Sequence, residues 1–85
     1  MVIYDEDGRV TERRLVGRDT DACGFYIEAG IWHGLVVLED DTVLFEVKQG
    51  PYTPLTVENI ASWSPDVADK EAQQAYVKAL EQSFE

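Results

Sequence analysis

One apolar run constrains this chain more than any other feature. It extends from the only histidine, His33, to Lys48, and its main interruption is the acidic triplet Glu39–Asp41. Two apolar stretches on either side of a short acidic turn predict a β-hairpin over about 33–38 and 42–48. Because side chains alternate along a strand, this hairpin has one wholly apolar face that needs a cover. That face consists of Val36, Leu38, Val43, Phe45 and Val47.

The register of this hairpin predicts which side chains meet across it. Pairing residue 38 with residue 43 places His33 opposite Lys48 and Leu35 opposite Glu46. His33, Glu46 and Lys48 then share the second face. We expect Glu46 and Lys48 to form an ion pair there.

The rest of the chain predicts three more short strands and one helix. Strands are expected at 2–4, 9–16 and 25–28, the first two joined by a tight turn in which Gly8 supplies a positive φ. Ser64-Pro65-Asp66 has the pattern of a helix start. Alanines and larger apolar residues recur behind it at helical spacing, which predicts a helix over about 65–84. We therefore expect one mainly β domain over 1–85 with a C-terminal helix.

Composition excludes several classes of function. The chain has 85 residues and a net charge of -10, so nucleic acids and anionic membranes are poor partners. No apolar segment approaches the roughly 20 residues of a spanning helix. The single cysteine, Cys23, cannot form an internal disulfide, and we expect a cytoplasmic protein.

Five motifs follow one another along the chain: Tyr4 to Val10, Gly30 with Trp32-His33, Thr42 to Glu46, Lys48 with Gly50-Pro51-Tyr52, and Trp63-Ser64-Pro65. In this order they resemble the WbuC-type cupin-fold metalloproteins. Glu28-Ala29 precedes Gly30, where that family usually has a proline before the glycine. The resemblance implies a cupin-like antiparallel half-barrel, or portion of a jelly roll.

The resemblance also implies a site. It makes His33 a ligand of a divalent first-row metal, and it makes Trp32, Glu46, Lys48 and Tyr52 residues of a substrate pocket. The family's other ligands, a His-x-His motif followed by a glutamate, are expected upstream of Met1. The sequence thus leaves open whether this chain binds a metal. A lone histidine more often has a structural role than a metal-binding one. For Trp32 and Trp63, packing in the core is favoured over stacking against a sugar ring.

Two functions remain open from sequence. The first is a metal-binding cupin linked to surface-polysaccharide metabolism, with a sugar-like ligand and an incomplete metal site in this chain; no reaction is implied. The second is a non-catalytic interaction or structural module, or a fragment of a longer cupin. In either case the uncovered apolar face predicts a homodimer formed through the sheet.

Overall fold

The computed structural model describes residues 1–85 and contains a small antiparallel sheet and one α-helix. Strands β1 (Val2–Tyr4) and β2 (Val10–Arg13) form the first hairpin. Its turn is closed by an Asp5 carboxylate oxygen, which accepts the backbone N–H groups of Asp7 and Arg9, both at 2.9 Å. The predicted positive φ of Gly8 is confirmed, at 88°.

The third strand, β3 (Trp32–Gly34), pairs antiparallel with the other edge of β1, giving the order β2-β1-β3. His33 lies opposite Ile3. The predicted hairpin register, which placed His33 opposite Lys48, is therefore wrong. β1 carries the buried residues Val2 and Tyr4 on one face, and β3 gains packing beside them that a free hairpin lacks. An isolated two-stranded hairpin is marginal in water.

The predicted strands at 25–28 and 42–48 are not formed, and the strand predicted at 33–38 ends at Gly34. The turn between the two halves of the apolar run is present, because the Thr42 hydroxyl donates to the Glu39 carbonyl at 2.6 Å. The flanking residues do not pair, since no packed surface lies under them. Most of their side chains are exposed.

The core lies on the β1 face that carries Tyr4, where Trp32 and Trp63 meet. The ring centroids of Tyr4 and Trp63 are 4.9 Å apart, and those of Trp32 and Trp63 are 6.1 Å apart in an edge arrangement. Only four of the 85 residues are buried, and they are Met1, Val2, Tyr4 and Ala61. Trp32 and Trp63 thus pack at the end of the sheet, as the sequence favoured.

A short 3-10 turn (Val57–Asn59) precedes helix α1 (Lys70–Gln82). The helix begins later than predicted, with Asp69 as the cap that accepts the Ala72 N–H at 3.0 Å. The earlier signal fails because the Ser64 hydroxyl donates back to the Ala61 carbonyl at 2.6 Å, and an Asp66 carboxylate oxygen closes a separate turn at Ala68. None of the helices has both the length and the apolar character needed to cross a membrane.

Candidate functional site

The sheet has one covered face and one open face. Val2, Tyr4 and Trp32 lie toward the aromatic core, and the alternate positions point the other way. On the open face the pairing sets Glu12, Ile3 and His33 in one row across the three strands. His33 is therefore presented to solvent beside an apolar residue, with a carboxylate one strand further away.

The His33 ring is oriented by the backbone. Its Nδ1 lies 2.9 Å from the carbonyl oxygen of Ile31. A carbonyl only accepts, so the neutral ring carries its proton on Nδ1 and leaves the Nε2 lone pair free. Metal-binding histidines are often held in this way, but so are histidines that only cap a strand.

The remaining donors do not fit a metal within one chain. No group of three or more His, Cys, Asp or Glu side chains comes together anywhere in the structure. The cysteine, Cys23, is exposed in the loop after β2. A first-row metal takes several imidazole, thiolate or carboxylate donors, and His33 supplies one.

The predicted pocket residues are dispersed. Trp32 belongs to the opposite face from His33, and its indole N–H donates to a Glu6 carboxylate oxygen at 3.3 Å. The predicted ion pair between Lys48 and Glu46 is confirmed, with 3.8 Å between the Lys48 Nζ and a Glu46 oxygen. Both side chains are exposed, so the pair contributes little to stability. Tyr52 is exposed as well, and no hydrogen bond or ion pair joins any of these three to His33.

A shallow groove of about 400 Å³ on the open face was not foreseen from sequence. An ion pair between Arg14 and Glu12 contributes to its wall. The signal was present in Glu12 of β2 and in Arg14 just after it, which alternate away from the core, but their neighbours come from a loop that was predicted as a strand. The lining residues are Met1, Ile3, Glu12, Arg14, Phe25, Tyr26, Ile27, Glu28 and Ile31.

The most unusual feature is the segment 35–55, here called the apolar arm. None of its residues makes a backbone–backbone hydrogen bond with any part of the chain. Val43, Phe45 and Val47 are respectively 91, 88 and 81 % exposed. Apolar side chains on an unpaired backbone are the features by which one strand attracts another.

The two ends of the apolar arm differ in charge. Its turn carries three consecutive carboxylates at Glu39, Asp40 and Asp41, and its only cation is Lys48. Asp41 has a φ of 62°, a left-handed conformation that aspartate tolerates better than most residues. The arm is therefore negative at its turn, whereas beyond its apolar centre the one cation, Lys48, is paired with Glu46.

Comparisons of this chain with protein families, with curated proteins and with solved structures found no match. Only the geometry of the site therefore bears on its function. That geometry offers one oriented imidazole, one shallow groove and one uncovered apolar arm.

Proposed function

We propose that this chain is a non-catalytic interaction module that binds a partner through its apolar arm. The observation that carries the proposal is the unpaired backbone of residues 35–55 beneath exposed side chains. Segments with unpaired backbone groups can bind by strand addition, in which main-chain hydrogen bonds supply affinity and alternate side chains supply specificity. In this view the chain is a portion of a cupin-like barrel, similar to the WbuC-type proteins, that keeps a sheet and a helix.

The donor chemistry supports the non-catalytic part of the proposal. His33 is the only imidazole, and it belongs to no group of three or more side chains that could hold a metal ion. Glu46 and Lys48 neutralise each other in solvent, where neither gains the desolvated environment that tunes a catalytic group. The histidine then serves to hold the backbone at the start of β3 through Ile31.

Metal analysis of the untagged protein tests this part. We expect a folded protein without stoichiometric metal, in which His33→Ala and the control Cys23→Ser behave alike. The contrary result is one equivalent of a first-row metal that is lost in His33→Ala and retained in Cys23→Ser. It contradicts the proposal and favours the alternative function, a metal-binding cupin.

A second candidate function is the binding of a sugar-like molecule in the groove of the open face. Phe25 and Tyr26 offer flat apolar rings, and Glu12, Arg14 and Glu28 offer hydrogen-bonding groups beside them. Tyr26 is 88 % exposed and so is accessible to a ligand. Chemical-shift changes at Phe25 and Ile27 on titration with neutral hexoses, abolished by Tyr26→Ala and unaffected by Tyr52→Ala, favour this candidate. Unchanged spectra at high sugar concentration exclude it for those sugars.

A further inference from the structure

The apolar arm has an approximately symmetric centre. In the run Val43-Leu44-Phe45-Glu46-Val47, a valine stands two residues before and two residues after the phenylalanine. In extended conformation these three side chains lie on one face. Turning the segment about a two-fold axis through Phe45 superposes this face on itself, so the segment is complementary to a second copy of itself.

Charge decides the direction of such pairing. An antiparallel arrangement centred on Phe45 sets Lys48 opposite Thr42 of the second copy, next to the acidic turn 39–41 of that copy. A parallel arrangement instead aligns the two acidic turns with each other. Like charges directly opposite are destabilising, so antiparallel pairing is favoured.

The exposed area is also sufficient for a dimer. The accessible surface of the chain is 7631 Å², whereas a folded monomer of this mass has about 5,100 Å². The difference, about 2,500 Å², exceeds the roughly 800 Å² that a standard interface removes from each partner. With four residues buried, the single chain leaves most of its apolar side chains in contact with water.

We propose that residues 42–48 of two copies pair antiparallel around a two-fold axis at Phe45, and that this pairing forms a homodimer. The inference rests on the proposed function, because it names the partner of the same arm. Each chain gains backbone hydrogen bonds for its unpaired residues, and Val43, Phe45 and Val47 each gain a cross-strand apolar neighbour on one shared face. The contact is isologous and therefore closes at two chains.

Sedimentation equilibrium at micromolar concentration tests the stoichiometry. We expect twice the chain mass of 9.6 kDa for the unaltered protein. Phe45→Asp should raise the dissociation constant by about thirtyfold or more, because it places a charge at the centre of the contact. Tyr26→Asp is the matched control, since Tyr26 is an equally exposed aromatic outside the arm, and it should leave the dimer intact. Circular dichroism verifies that both variants stay folded.

Disulfide trapping tests the register without altering the apolar face. In a Cys23→Ser background, Leu44→Cys protein is mixed with Glu46→Cys protein, since residues 44 and 46 of opposite chains face each other in the proposed pairing. We expect a covalent heterodimer on a non-reducing gel. Glu46→Cys mixed with Gln74→Cys, which lies on an exposed side of α1, should give no such product.

Two results overturn the inference. One is a monomer of the unaltered protein at micromolar concentration, and the other is a dimer that Phe45→Asp leaves unchanged and that gives no cross-link between residues 44 and 46. Either result leaves the interaction module open to a different partner or register. One equivalent of metal that depends on His33, in contrast, contradicts the proposed non-catalytic module. Failure of the dimer and failure of the proposed function are therefore distinguishable.

Discussion

At the scale of single residues, Gly8 has two separate reasons to be glycine. Its φ is 88°, and a Cβ added to it would lie 2.6 Å from Cδ2 of the Trp63 indole. The first hairpin therefore touches the aromatic core at a point with no space for a side chain. The contact joins the turn after β1 to a residue more than 50 positions away.

Gly8→Ala should destabilise the protein by about 2 to 4 kcal/mol, since left-handed strain and overpacking both contribute. Gly30→Ala is the matched control, because Gly30 has a similar φ of 85° but no neighbour within 4 Å of an added Cβ. We expect this control to lose only the strain contribution, about 1 to 2 kcal/mol. Urea denaturation measures both values. Equal losses for the two variants would show that the indole contact contributes nothing.

The Tyr4 phenol couples the fold to alkaline pH. Burial raises its pKa above the ordinary value of 10, and the neighbouring Tyr76 hydroxyl raises it further, while Arg13 acts in the opposite direction. The unfolded chain ionises this phenol near pH 10, and the folded chain does so only at higher pH. Folding stability is therefore intact below about pH 10 and falls as pH rises above it.

Tyr4→Phe should remove much of this alkaline loss, because phenylalanine has no proton to release. The free energy of unfolding is measured by urea denaturation between about pH 8 and 11.5, on either side of the reference value for tyrosine. We expect the decline above pH 10 to be shallower in the variant than in the unaltered protein. Parallel curves would contradict the assignment of the decline to Tyr4.

At the scale of elements, helix α1 depends on its cap more than on its packing. No residue between Lys70 and Gln82 is fully buried. A helix of this length is marginal without tertiary contacts, so each local interaction has a large effect on its population. The bond from the Ala72 N–H to the Asp69 carboxylate is the interaction that fixes its start.

Asp69→Ala should therefore reduce helix content, at a cost of about 1 kcal/mol. Asp69→Asn keeps an acceptor at the same position and should differ from the unaltered protein by only a few tenths of that value. The circular dichroism signal at 222 nm, followed with temperature, measures the effect. Identical melting of the alanine and asparagine variants would assign the helix start to another residue.

The sequence predicts elements where the deciding interaction is local. The first hairpin follows from the turn residues at 5–8, and the helix follows from apolar spacing in 72–84. The predicted start of the helix is wrong because two possible caps, Ser64 and Asp69, lie close together. The Ser64 hydroxyl donates to the Ala61 carbonyl, and Asp69 caps the helix instead. The expected cupin topology stays a prediction at this level, since a three-stranded sheet is compatible with it and with other folds.

Non-local pairing could not be predicted in the same way. β3 pairs with β1, although β2 and a polar loop lie between them in the sequence. His33 therefore lies opposite Ile3 instead of Lys48. The hydrophobic pattern fits either partner, and only packing against Tyr4 and Trp63 distinguishes them. For the same reason, the groove beside Tyr26 was missed while the ion pair of Glu46 with Lys48, two residues apart, was found.

At the scale of the whole molecule, the net charge of -10 opposes association of two copies. Repulsion between exposed charges is screened over about 8 Å at physiological ionic strength, whereas burial of apolar side chains is not. The attraction between Lys48 and the acidic turn of the second copy is one exposed contact, worth about 0 to 1 kcal/mol. Overall repulsion therefore dominates the salt response.

The homodimer should persist at low salt and become modestly tighter as salt rises from about 0.05 to 0.5 M, a range over which the screening length falls severalfold. Sedimentation equilibrium at each concentration gives the dissociation constant. Lys48→Gln is the informative variant, because it removes the one attractive charge and should weaken the dimer mainly at low salt. A dimer that dissociates as salt rises would show that charge pairing, and not the face of Val43, Phe45 and Val47, holds the two copies together.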